Sequence, residues 1–137
     1  MKDDRFRIRV DSDYASALGL AVYAFASLEW NAVQCCERID PGHLEALSDR
    51  TAGRVADTLR TLVRAMPVSE GHAALDRAAR DFQAFARTRN NLLHAKPGVD
   101  ASGARRLFRD GDQWTLSEIE TVADAFAECG ARLHDWL

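Results

Sequence analysis

The chain has 137 residues, 47% of them hydrophobic, which supports one domain with a core across residues 1–137 and leaves too little for two. Its net charge of −3 excludes a broad positive field that would gather nucleic acid non-specifically, so any RNA contact must be local. Three cysteines (Cys35, Cys36, Cys129) form no C-x-x-C pair, and adjacent thiols bridge only with strain, so they read as reduced thiols of a cytoplasmic protein.

In chain order, Phe6, Ile8 and Val10 alternate with Arg5, Arg7 and Arg9, the period-two pattern of a short edge strand or extended arm. Asp11, Ser12 and Asp13 offer caps for a helix from about Tyr14 to Arg38. Tyr14, Leu18, Ala21, Val22, Phe25, Leu28, Ala32, Val33 and Cys36 share its apolar face. The uncharged run Tyr14 to Leu28 is shorter than the ~20 residues of a bilayer span, so neither a signal peptide nor a membrane helix is expected. Glu29 lies inside the apolar face, about 20° from Leu18, where an ionised carboxylate is costly unless it is paired or reaches water at the helix edge.

Ile39-Asp40-Pro41-Gly42 breaks the helix, and Leu44 and Leu47 suit a short turn. Val55, Leu59, Leu62, Val63 and Met66 mark a second amphipathic helix stopped by Pro67, with Gly53 placed for close packing. The third helix is expected from about Ser69 to Ala95, with Leu75, Ala78, Phe82, Phe85, Ala86, Leu92 and Leu93 as its stripe. With Arg89 set at 0°, these fall between about −60° and +60°, so a guanidinium sits in the middle of a buried face. Glu29 is the ion-pair partner expected for it, within one chain or across two, since each charge alone would be expensive among carbon. His94 lies at about 140°, beside Asn90 at about 100° and Arg87 at about 160°, in a polar band flanking the stripe. Lys96 precedes Pro97, and the pre-proline restriction ends the helix there, leaving His94 in the final turn at the negative end of the helix dipole.

Gly98 to Thr115 is irregular and basic, carrying Arg105, Arg106 and Arg109, with a small hairpin around Asp110-Gly111. Ser117 and Glu120 have capping-box spacing, and Ile119, Val122, Ala123, Phe126, Ala127, Gly130, Leu133 and Leu137 trace the core face of a last helix. The fold class read from this pattern is all-α, a bundle of about four helices with a small β-hairpin insert before the last.

Chemistry concentrates in Arg89-Asn90-Asn91-Leu92-Leu93-His94. An arginine is a permanent planar cation that grips phosphate through parallel hydrogen bonds, and a histidine moves protons near neutrality. The bare spacing is weak: sixteen arginines and four histidines give about 0.5 such pairs by chance, and Arg38 to His43 is a second one that crosses a Pro-Gly break. Context sets Arg89 to His94 apart, with an amphipathic helix leading in, Leu92 and Leu93 for packing and a proline stop beyond.

This block resembles the R-x-x-x-x-H motif of the HEPN superfamily, and the helical outline is similar to that family's. The resemblance implies a homodimer with two motifs facing across a cleft, and a metal-independent endoribonuclease, often the toxin of a toxin–antitoxin or antiphage system with a cognate antitoxin protein as partner. It implies His94 activating the ribose 2′-hydroxyl, Arg89 neutralising phosphate charge and Asn90 orienting one or the other, with Glu29, Arg87 and Lys96 in support and no cofactor. The alternative it leaves is a non-catalytic helical dimer that binds nucleotide or protein. Other chemistries have thinner support. His43, His72, His94 and His134 show no zinc-type spacing with each other or the cysteines, so no metal is expected. Cys35 and Cys36 lie in the most apolar helix, where thiols are inert, and no glycine-rich phosphate loop follows a strand.

Overall fold

A computed structural model describes residues 9–137. Five helices and three strands follow in the order α1 (Ser12–Ile39), α2 (His43–Leu47), α3 (Ala52–Ala65), α4 (His72–Leu93), β1 (Lys96–Val99), β2 (Arg105–Arg109), β3 (Asp112–Trp114) and α5 (Leu116–Trp136). The expected arm falls mostly outside these residues, as Phe6 and Ile8 do; Val10 is exposed and in no strand. Among the described residues, no helix is long and apolar enough to cross a membrane.

The bundle is built on α1, which packs chiefly on α5 and also against α3 and α4. Phe25, Leu28 and Ala32 of α1 meet Val55 and Leu59 of α3, Phe82 and Ala86 of α4, and Phe126 and Leu133 of α5 in one buried cluster. Phe25 stands edge-on to Phe126 at 5.1 Å and tilted to Phe82 at 6.0 Å, offset geometries that aromatic quadrupoles favour. A second cluster joins Tyr14, Ala17 and Ala21 of α1 to Leu92 of α4 and Ile119 and Ala123 of α5, and Leu107 and Trp114 rest against it.

Several expected core positions stand in solvent. Val22 and Leu93 are exposed, as are Ala127 and Leu137, because each lies at the margin of its helical stripe or at a chain end. The methyl group that Gly53 lacks would meet nothing within 4 Å, so close packing is not its role. Helix α4 starts at His72, after Gly71, and not at Ser69; the His72 ring meets the Val63 carbonyl at 2.9 Å and ties the start of α4 to α3.

The insert is more than a hairpin and the molecule is not purely helical: β1, β2 and β3 form a three-stranded antiparallel sheet. Asp110 and Gly111, with φ of 52° and 84°, make the two-residue turn between Arg109 and Asp112 that strand twist favours. Strand β1 escapes sequence reading because it holds Pro97 and Gly98, residues depleted in strands and tolerated at an edge. At Gly98 a Cβ would lie 2.6 Å from Cδ2 of Phe108, so only glycine lets that ring lie across the strand. The sheet is fastened by Tyr14, whose hydroxyl donates to the Trp114 carbonyl at 2.7 Å and accepts from the Leu107 amide at 2.9 Å.

The capping box of α5 is Thr115 with Glu118, not Ser117 with Glu120. Both pairs have the spacing, two residues apart. The extended Thr115 directly follows β3, so the helix begins as soon as the strand ends and takes the first box it meets.

Candidate active site

The site stands where the C-terminal turns of α4 cross α1 and meet the sheet. Arg89 is half-buried, its Cζ 4.7 Å from the centroid of the Phe25 ring and its Nη2 3.9 Å from Oε2 of Glu29. The expected pairing of these two charges is therefore present within one chain. It is a loose pair, beyond hydrogen-bond length, and the Nε of Arg89 is buried without a hydrogen-bond partner. Burial pushes the Glu29 carboxyl above its ordinary range, and the attraction of Arg89 only partly pulls it back.

His94 is the cap residue that ends α4. Its amide donates to the Asn90 carbonyl at 2.9 Å, while its side chain is exposed. Asn90 and Arg87 are also exposed, and Lys96 is exposed as the first residue of β1. Helical geometry separates the α-carbons of Arg89 and His94 by roughly 7.5 Å along the axis and about 140° around it, and no hydrogen bond joins the two side chains. One chain thus presents an anchored cation and a free imidazole on adjoining faces. The second R-x-x-x-x-H pair comes apart: Arg38 lies over the Trp136 ring at 4.7 Å and donates to the carbonyls of Trp136 and Leu137, while His43 faces Asp40 at 3.1 Å.

Sequence reading left one element out of the site. Arg109 reaches from β2 so that its Nη1 lies 3.4 Å from the His94 carbonyl, and it lines a surface cleft of about 530 Å³ with Asn91, Asp112, Trp114 and Glu118. The basic run Arg105, Arg106, Arg109 was visible in the sequence. Its placement depends on strand register and on the Tyr14 latch, which are not local.

Cys35 and Cys36 are buried and pushed up to about 12, and Cys129 to about 11, by burial first. Such thiols are protonated at neutral pH and poor nucleophiles. Among the described residues, no three side chains of His, Cys, Asp or Glu come together as a metal-holding group.

Against family models, curated proteins and solved structures, the chain matches none.

Proposed function

We propose that the chain is a metal-independent endoribonuclease of HEPN type that acts as a homodimer on RNA, in the manner of a toxin held in check by an antitoxin protein. The observation that carries this reading is the pairing of opposite properties in six residues. Arg89 lies over Phe25 with Glu29 at 3.9 Å, while His94, nearly a turn and a half on, is exposed and free to approach a substrate. A cationic hydrogen-bond donor and an acid-base group that can reach the substrate are what phosphodiester transfer demands.

In the proposed reaction His94 takes the proton of the ribose 2′-hydroxyl. The 2′-oxygen attacks phosphorus, the bond to the 5′-oxygen breaks, and a second imidazole returns a proton to that leaving oxygen. The products are a 2′,3′-cyclic phosphate and a 5′-hydroxyl. Because each chain offers one His94, the acid and base roles divide naturally between two copies. Arg89 neutralises charge growing on the phosphate, with Asn90, Arg87 and Lys96 as exposed polar neighbours.

The non-catalytic reading, a helical dimer that binds nucleotide or protein, rests on the same Arg89 contacts, which would serve packing as well as chemistry. Cleavage of single-stranded and structured RNA in excess chelator decides between them. Loss of a positioned acid or base costs about 10² to 10⁴ in rate, so His94→Ala should be nearly inactive with an unchanged melting temperature. Arg89→Ala should be as inactive and somewhat less stable. No cleavage by the parent protein, or equal cleavage by His94→Ala, would overturn the catalytic reading.

A further inference from the structure

The cleft beside His94 combines groups that the catalytic motif does not use. Arg109 and Asp112 are cross-strand partners, so their side chains leave the same face of the sheet as the next pair but one in register, Leu107 and Trp114, while Phe108 and Gln113 between them point to the other face. That face packs Leu107 and Trp114 against the core and so delivers Arg109 and Asp112 to the core's edge, against the end of α4.

Arg109 has spare capacity there. One of its five N–H donors is directed at the His94 carbonyl at a weak 3.4 Å, and its nearest carboxylate among the described residues, Asp110, is 3.9 Å away and 90% exposed, so although its Nε is buried its terminal N–H groups are left for a ligand. The acidic lining differs from residue to residue. Of its three carboxylates, Glu118 is occupied, its Oε2 accepting the Thr115 amide at 3.1 Å, Asp110 stands 3.9 Å from Arg109, and Asp112 has no side-chain partner among the described residues. Trp114 supplies a flat, partly buried wall.

A cation and a free carboxylate on one wall cannot both face phosphate, but they suit the two ends of a nucleotide. Single-stranded RNA is read through unstacked bases that rest on aromatic surfaces and hydrogen-bond along their pairing edges. A carboxylate only accepts, and guanine alone among the common bases turns two adjacent donors, N1–H and N2–H, to one acceptor pair. We propose that this cleft is a guanosine nucleotide subsite, with Arg109 holding the phosphate and Asp112 the guanine edge. It deepens the ribonuclease reading, on which it rests for its substrate class, by placing a guanosine next to the cleaved bond.

The test is direct titration of the intact protein with guanosine 3′-monophosphate and uridine 3′-monophosphate. The parent should bind the guanosine nucleotide more tightly. Arg109→Gln, which removes the guanidinium and, being shorter, also the weak contact to the His94 carbonyl, should weaken both nucleotides about tenfold or more, the cost of a charge-assisted hydrogen bond. Asp112→Asn should weaken the guanosine nucleotide by a similar factor and leave the uridine nucleotide unchanged. Unaltered melting temperatures exclude a folding defect, and the exposed Asp112 provides a variant without structural burden. Equal affinity of the parent for the two nucleotides, or no loss in Arg109→Gln, would overturn the subsite. RNA cleavage is read separately: a protein that binds as expected but cuts no RNA keeps the subsite and loses the catalytic reading. One that cuts RNA without preferring the guanosine nucleotide does the reverse.

Discussion

At the scale of single residues, Arg89 and Glu29 show how a loose ion pair behaves between helices. Each is a charge on a face that otherwise buries carbon, and this was legible from the 100° periodicity alone. The periodicity makes each look indispensable to the other. The geometry does not: at 3.9 Å the attraction of Arg89 leaves Glu29 raised above its ordinary value, with burial as the leading cause. A carboxyl whose folded value is raised adds stability below its unfolded value, near 4.3, and that stability is lost as pH climbs through the raised folded value. Glu29→Gln, neutral at every pH, should therefore match or exceed the parent in stability at pH 7, and the difference should shrink as pH falls through the carboxylate range. Thermal melts of the two proteins from pH 7 to pH 4 measure this, and a large loss of stability at pH 7 would contradict it. Arg89→Ala differs because it removes the packing over Phe25, for which a cation over an aromatic face contributes about 0.5–1 kcal/mol.

Among elements, the sheet shows where local signals end. The Asp110-Gly111 turn and the two strands it joins could be read from adjacent residues, because the turn's positive φ angles select those residue types. Strand β1 and the docking of the sheet could not, since they depend on contacts across long stretches of chain. Tyr14 is the clearest case. In sequence it is another apolar position on α1; in the fold its hydroxyl serves one backbone donor in β2 and one backbone acceptor in β3, with the Arg106 guanidinium 4.5 Å above its ring. Burial raises the Tyr14 hydroxyl above its ordinary value despite that cation, keeping it a neutral donor. Tyr14→Phe keeps the ring and strands both backbone groups, so it should cost about 1–3 kcal/mol and speed amide exchange in β2 and β3 more than in α3. Exchange that rises equally everywhere would mean the latch is not local. Because the sheet carries Arg109 to the end of α4, the same variant should also weaken nucleotide binding.

On the scale of the whole molecule, the three thiols report on global opening. They lie on α1 and α5 within the main core, so labelling requires those helices to part. With Cys35 and Cys36 pushed up to about 12 and Cys129 to about 11, folded protein at pH 8 should resist iodoacetamide that labels all three in denaturant. Raised values also set the alkaline limit: the thiols add stability below the ordinary thiol value, near 8.5, and that stability is lost as pH rises toward 11 and 12.

The remaining surface argues for a second copy. Val22 is 48% exposed on α1 and Leu93 51% exposed on α4, while the exposed Tyr23 and Trp30 point about 120° and about 100° away from Glu29 around α1. By helical position Val22 lies within about 20° of Glu29, and Leu93 within about 40° of Arg89, so apolar side chains flank the ion pair on both helices. Exposed apolar groups gathered in this way mark contact surfaces, and a two-fold pairing through them would set two copies of the motif near one axis. Sedimentation at micromolar concentration should give a species of twice the 15.2 kDa chain. Val22→Glu puts a charge into the pairing surface at a position already in water. It should yield a monomer with the parent's helical content and melting cooperativity, and cleavage should fall with dimerisation because one His94 then lacks its complement. A parent that sediments as a single chain at these concentrations, or a monomeric variant that cleaves RNA at the parent's rate, would leave the division of acid and base roles between two histidines without support.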